Sequence, residues 1–247
     1  MMILPSEYQG SETGASAGFR HASGVKRLID VVISFFGLLI LLPVFGIVAA
    51  AIKLDSPGPI LYGQERVGLN RRRRHEGNGN GNGHGNGNGN APRREQRRLD
   101  CFGRPFKIYK FRSMVANAEK NTGAVWAAKN DSRITRVGAI LRKTRLDETP
   151  QLWNVLKGEM SLVGPRPERP KFVVELARTL PDYAWRCDAL PGITGLAQVK
   201  WHYDTSIETV NRKLQYDLYY VRNRRLLLDL KIMAATVKVM ARGDGAH

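Results

Sequence analysis

A mainly helical α+β fold carrying one membrane helix is what this sequence predicts, and three patterns point to it. Residues 31–52 read VVISFFGLLILLPVFGIVAAAI, 22 residues without a charge. About 20 apolar residues suffice to cross a bilayer core. Residues 55–69 read as a turn followed by a short strand, and Phe106, Ile108 and Phe111 mix with basic residues in a strand-like pattern. Apolar residues at helical spacing recur through most of the remaining chain.

Taken in order, residues 1–24 are small, polar and aperiodic, and read as a disordered tail. Residues 25–54 form the membrane element, with Lys26 and Arg27 before the apolar run and Lys53 after it. The run starts late and exceeds the apolar region of about 7–15 residues found in signal peptides, which argues against cleavage. Pro43 sits near its middle, where it removes a helix hydrogen bond and crowds the preceding turn. Gly37 and Gly46 loosen the helix further. Two geometries stay open at this level: a kinked span, or a re-entrant hairpin that returns to the face it entered. Basic residues on both flanks leave the orientation undecided.

Residues 55–240 read as the folded domain and residues 241–247 as a tail. Within the domain, residues 70–100 form an insertion rich in Arg, Gly and Asn, and residues 77–90 hold only Gly, Asn and His84. Such a segment has nothing to bury and reads as a flexible loop. Its arginines suit anionic headgroups. Nucleic acid is disfavoured, because no aromatic is interleaved for base stacking. A lone histidine in a glycine tract is solvent-exposed filler rather than a metal ligand.

Ile134, Val137, Ile140 and Leu141 then recur at helical spacing among Arg133, Arg136, Arg142, Lys143 and Arg145. This fits a basic amphipathic helix on a membrane surface, the alternative being a soluble helix with a solvated charged face. Residues 171–188 and 206–222 read as helices and residues 190–199 as a Pro/Gly-rich turn region. The last apolar stretch, LLLDLKIMAATVKVM, is interrupted by Asp229 and Lys231, which argues against a second span.

The chain of 247 residues holds 39 Lys+Arg against 22 Asp+Glu, a formal charge of +17. That excess calls for an anionic partner: nucleic acid, lipid headgroups or a phosphorylated substrate. Cys101 and Cys187 stand far apart with no CxxC spacing, which excludes a zinc site built on Cys pairs and gives no sign of a disulfide framework.

In so basic a chain, the stretch TRLDETPQLWNVLKGEMSLVGPRPERP places Asp147 and Glu148 side by side. Thr149 and Pro150 read as the N-cap and first residue of a helix that Gly158 ends. Acids are favoured at a helix start, so capping alone explains the dipeptide. Its neighbours argue for more. Gly164 allows unusual backbone angles, and Pro165 and Pro167 stiffen the chain around Arg166, which suits a phosphate-binding guanidinium. Lys110, Arg112, Arg142 and Arg145 extend the positive lining. Carboxylates in a phosphate site need a cation such as Mg²⁺, or covalent work of their own. An ionised Asp, with a reference pKa of about 3.9, can attack phosphorus without a general base.

The segments KRLIDVV, SPGPILYGQERVG, FKIYKFRSM, DSRITRVGAILRKTRLDETPQLWNVLKGEMSLVGPRPE and LPGITGLAQV occur in this order. Together they resemble the bacterial sugar transferases, monotopic phosphoglycosyl transferases that begin exopolysaccharide and O-antigen assembly. The resemblance spans residues 25–240 apart from 70–100. It implies transfer of a sugar phosphate from a UDP-sugar to polyprenyl phosphate, with release of UMP. It also implies that Asp147 is the nucleophile, that Glu148 serves Mg²⁺, and that Lys110, Arg112, Arg142 and Arg166 contact phosphate. The fold it implies is α+β and mainly helical. A re-entrant helix breaking at Pro43, interfacial amphipathic helices and a small β element would surround a cytoplasmic active site at the bacterial inner membrane. The implied partners are UDP-sugar, polyprenyl phosphate, membrane lipids and downstream glycosyltransferases, without nucleic acid. Two departures stand out: many members have Ser-Pro where this chain has Leu42-Pro43, and a tight turn where it has the insertion. The larger N-terminal region of some relatives is lacking, so the expectation is a catalytic core. The rival readings are a membrane-anchored basic binding module and a glycosyl transferase that releases UDP.

Overall fold

The computed structural model describes residues 19–70, 103–118, 131–200 and 207–242. The tail over residues 1–18, most of the 70–100 insertion with His84, Cys101 and residues 243–247 lie outside them.

Helix α1 (Phe19–Asp55) runs unbroken through Pro43. The two arms separated by a turn that a hairpin implies are therefore not shown. It is the one helix among the described residues long and apolar enough to cross a membrane. Phe35, Phe36, Leu39, Ile40, Leu42 and Ile47 are exposed along it, so it is not the core helix of a soluble domain. The chain thus carries a membrane-associating helix.

Both ends of α1 hold the folded domain. At the first, Arg27 donates to the carbonyls of Val155 and Leu156 at 2.6 and 2.8 Å. Lys26 Nζ pairs with Asp229 Oδ2 at 2.7 Å, and Asp30 Oδ1 accepts the Leu162 N–H at 3.1 Å. At the other end, Val48 and Ile52 pack with Phe111 and Leu141, and Asp55 Oδ2 accepts the Val137 N–H at 3.0 Å. Lys26 and Arg27, read from sequence as flanking charges, are anchors.

Strands β1 (Leu61–Val67) and β2 (Pro105–Phe111) form the expected β element, an antiparallel pair with Tyr62 opposite Lys110. The insertion leaves from the far end, where Gly68 and Arg104 share a backbone hydrogen bond. Helix α2 (Arg136–Lys143) starts at Thr135, whose hydroxyl accepts the Gly138 N–H. Ile134 lies outside it, in a bridge with Met114. Val137 and Leu141 face α1, while Ile140 is exposed.

The expected helix start at Thr149-Pro150 is corrected. Residues Leu146–Gln151 form a 3-10 turn that contains both acids, and α3 (Leu152–Leu156) begins only after it. Thr149 does not cap; its hydroxyl donates to the Leu146 carbonyl at 2.7 Å. Gly158 ends α3 at φ +77°, as expected.

Strands β3 (Ser161–Val163) and β4 (Gly192–Thr194) are parallel neighbours, so the stretch read as turn holds a strand and then α5 (Leu196–Lys200). Gly164 matters for space rather than for unusual backbone angles: a Cβ there would lie 2.2 Å from the Leu190 carbonyl oxygen. The helix expected over 171–188 divides at Leu180 into α4 (Pro170–Thr179) and a second 3-10 segment, Pro181–Asp188. Helices α6 (Ile207–Asn223) and α7 (Leu226–Arg242) complete the domain. The main core gathers Ile108, Val155, Met160, Val163, Tyr220 and Ile232 around the β3–β4 pair.

Candidate active site

Asn154 fixes the acidic turn beside β2. It is fully buried on α3, donates to the Lys107 carbonyl at 2.8 Å and accepts the Tyr109 N–H at 3.3 Å. It thereby fills two backbone positions on the edge of β2 away from β1, groups that are costly to leave unpaired when buried. The side chain acts as a short extra strand and brings the turn before α3 next to Lys110. Arg145, immediately ahead of the turn, adopts φ +59°, an unusual backbone for a non-glycine residue and one found at functional turns.

Asp147 and Glu148 are both buried there, yet they are treated differently. Glu148 Oε1 pairs with Lys110 Nζ at 2.6 Å and with Arg166 Nη2 at 2.5 Å, and Oε2 accepts Arg166 Nη1 at 3.3 Å. Burial alone would push the Glu148 carboxyl up. Arg166 and Lys110 outweigh that and hold it well below the usual carboxylate range. Asp147 accepts no hydrogen bond among the described residues. Burial pushes its carboxyl up and the adjacent Glu148 charge adds to this, against the pull of Lys110, Arg142 and Arg166. Burial lowers the Lys110 ammonium, with Glu148 opposing.

The turn borders a cleft of about 900 Å³, within the range of ligand pockets. Lys110, Arg142, Arg166, Asp147 and Glu148, each singled out from sequence, are brought together along it. Arg142 is held by Ser113, whose hydroxyl accepts its Nε–H at 2.9 Å. Arg112 also borders the cleft but is occupied elsewhere. Its guanidinium donates to the Ile52 and Ser56 carbonyls at 3.4 and 2.6 Å, and to that of Pro57. It ties the end of α1 to the entry of β1, so the residue expected from sequence to contact phosphate also has a structural role at the border of the cleft. Pro43, inside α1, is not among the cleft residues.

Sequence reasoning missed Arg66, Glu168 and Arg186, which border the same cleft. Arg66 was legible: in a strand, alternate residues share a face, so Tyr62, Gln64 and Arg66 lie together on the side of Lys110. Arg186 had no such signal, because its partner Asp217 is 31 residues away.

Among the described residues no group of three or more His, Cys, Asp or Glu could cage a metal. Mg²⁺ takes one or two carboxylates and completes its shell with phosphate oxygens and water. Of the two acids here Asp147 carries no hydrogen bond among the described residues, whereas Glu148 would have to release Lys110 or Arg166 to serve a metal.

Residues 21–75 and 90–243 match the family model described as bacterial sugar transferase. The chain belongs to the bacterial sugar transferase family. It is 38% identical over 223 residues to the UDP-N-acetylgalactosamine-undecaprenyl-phosphate N-acetylgalactosaminephosphotransferase of Aeromonas hydrophila, covering 90% of this chain and 45% of that protein. It is 36% identical to the UDP-glucose:undecaprenyl-phosphate glucose-1-phosphate transferase of Caulobacter vibrioides, covering 90% and 72%. Identity to the exopolysaccharide production protein PSS of Rhizobium leguminosarum bv. phaseoli is 37%, covering 90% and 98%. The chain thus spans less than half the length of the Aeromonas relative and almost all of the Rhizobium one.

Proposed function

We propose that this bacterial sugar transferase moves a sugar 1-phosphate from a UDP-sugar to polyprenyl (undecaprenyl) phosphate and releases UMP, through a phosphosugar ester on Asp147. The product would begin an exopolysaccharide or other surface glycan and pass to downstream glycosyltransferases. The observation that carries this is the division between two neighbouring carboxylates. Glu148 is saturated by two cations, whereas Asp147 is buried, borders a cationic cleft and has no hydrogen-bond donor among the described residues.

In the first step an Asp147 carboxylate oxygen bonds to the phosphorus that bears the sugar. The bond from that phosphorus to the bridging oxygen breaks, and UMP leaves with the oxygen and its electron pair. In the second step an oxygen of polyprenyl phosphate bonds to the same phosphorus, and the bond to Asp147 breaks to return the carboxylate. Lys110, Arg142 and Arg166 hold the phosphate oxygens and stabilise charge as it shifts. A poorly solvated, unpaired carboxylate is a better nucleophile than a hydrogen-bonded one, whereas Glu148 keeps Arg166 and Lys110 aimed into the cleft. Mg²⁺ would be held by Asp147, and by Glu148 on exchange for one of its two cations, and would neutralise the donor's phosphate charge.

The names of the relatives support the donor and acceptor classes, and they specify different sugars. The membrane placement is part of the same proposal. A straight helix over residues 31–52 would be about 33 Å long, close to the hydrocarbon thickness. That both ends of α1 hold the same domain supports a helix that enters the inner membrane, bends at Pro43 and returns, with the cleft on the cytoplasmic face.

A panel of UDP-sugars assayed with undecaprenyl phosphate tests the reaction. UMP as product supports it, whereas UDP would mark transfer of the sugar alone. A cysteine introduced in the N-terminal tail should be labelled only from the cytoplasmic side; periplasmic labelling would restore a full span.

A further inference from the structure

Four consecutive carbonyls, those of residues 165–168, are each captured by a different donor. The Gly192 N–H reaches Pro165 O at 3.0 Å, Arg186 Nη2 reaches Arg166 O at 2.8 Å, and Arg66 Nη1 reaches Pro167 O at 3.0 Å. The Val67 N–H completes the series on Glu168 O at 2.9 Å. Pro165 and Pro167 have no N–H, so this loop has little capacity to hold itself by hydrogen bonds. Its shape is set by whatever grips its carbonyls.

Of these donors, Arg186 acts on Arg166 itself and is itself held. Its Nε and Nη2 both donate to Asp217 Oδ2, at 3.1 and 2.7 Å, and its Nη1 donates to the Tyr183 hydroxyl at 2.7 Å. Arg186 and Asp217 are both buried. Such a pair is a poor source of stability, because desolvating two charges offsets most of their attraction. Its geometry, by contrast, is well defined: a planar fork gripping one carbonyl and one carboxylate.

We propose that the Arg186–Asp217 pair is a positioning device for Arg166. Helix α6 supplies Asp217, which orients Arg186. Arg186 then fixes the backbone of Arg166, so that the Arg166 guanidinium meets Glu148 on one side and a substrate phosphate on the other. Arg186 acts here through Arg166, and the transferase reading enters only in naming the phosphate as part of the donor.

The test uses the full chain in detergent or nanodiscs and reads binding of inorganic pyrophosphate with Mg²⁺ by calorimetry, beside the melting temperature of each variant. Arg186→Lys cannot grip both partners, and Asp217→Asn keeps shape while losing charge. In folded protein each should weaken pyrophosphate binding about tenfold, since small misplacements of a binding group are costly. On an Arg166→Ala background both should add almost nothing, the non-additivity expected of residues acting as one unit. If Arg186→Lys fails to fold, Asp217→Asn carries the test alone. Unchanged affinity in a folded variant, losses that add to that of Arg166→Ala, or a wild-type chain that does not bind pyrophosphate would each overturn the proposal. Absence of UMP release in a wild-type chain that does bind pyrophosphate would count against the transferase reading instead.

Discussion

Glu148 and Arg166 meet at two points, Oε1 to Nη2 at 2.5 Å and Oε2 to Nη1 at 3.3 Å, while Asp147 one residue earlier accepts no hydrogen bond among the described residues. Among the described residues the hydrogen bonds between the acidic turn and the GPRP loop therefore run through Glu148. Removing its charge leaves Arg166 and Lys110 as half-buried cations facing each other. Glu148→Gln should lower stability by about 1–3 kcal/mol, less than for a fully buried pair because water still reaches Arg166 and Lys110. Thermal melts in detergent read this directly, and the variant should also need more Mg²⁺ for any activity that remains.

Asp147 behaves in the opposite way. Burial and the Glu148 charge raise its carboxyl, so the ionised form is disfavoured in the folded protein. A raised carboxyl pKa means that ionisation costs folding free energy above the unfolded value, a cost that disappears as pH falls through the folded value and then the unfolded one. Asp147→Asn should accordingly be inactive and yet melt higher at neutral pH, by about 2–4 °C if the relief is on the order of 1 kcal/mol.

The same shift sets a pH dependence. In the proposed donor half-reaction Asp147 attacks in its ionised form, so the rate of UMP release should rise with pH along a limb displaced upward from the ordinary Asp range. Arg142 pulls the Asp147 carboxyl down. Arg142→Ala should therefore move that limb to higher pH as well as slow the reaction, and a pH–rate profile of both proteins checks the direction.

How far the sequence reveals all this depends on range. The membrane run, β1, β2 and α6 follow from local periodicity, and the acids with Lys110, Arg142 and Arg166 are legible because their motifs are contiguous. The 3-10 turn is not, since TPQLWN carries the signals of a helix start while Asn154 decides where the turn sits by plugging β2 across 45 to 47 residues of chain. The use of Arg112 is hidden for a related reason. A motif shows the residue type, whereas its role is set by the carbonyls of Ile52, Ser56 and Pro57, more than 50 residues earlier.

Arg112 accordingly gives a prediction of its own. Arg112→Ala should destabilise the protein by about 1.5–3 kcal/mol for each charged hydrogen bond effectively lost, and should loosen the junction between α1 and β1. The affinity of the folded fraction for pyrophosphate should change far less than in Arg166→Ala. Melting curves and calorimetry separate the two effects. Gly58 beneath it, at φ +125° with the Arg112 guanidinium 2.2 Å from where a Cβ would lie, should resist substitution even by alanine.

The covalent step at Asp147 is the central claim, and the mass of the enzyme tests it most directly. Incubated with a productive UDP-sugar and no acceptor, the protein should release a burst of UMP and gain one sugar phosphate on the peptide containing Asp147. Adding undecaprenyl phosphate should discharge that mass, and Asp147→Asn should show neither burst nor adduct. Normal UMP release by Asp147→Asn, or wild-type turnover with acceptor and no trace of an adduct without it, would contradict the account.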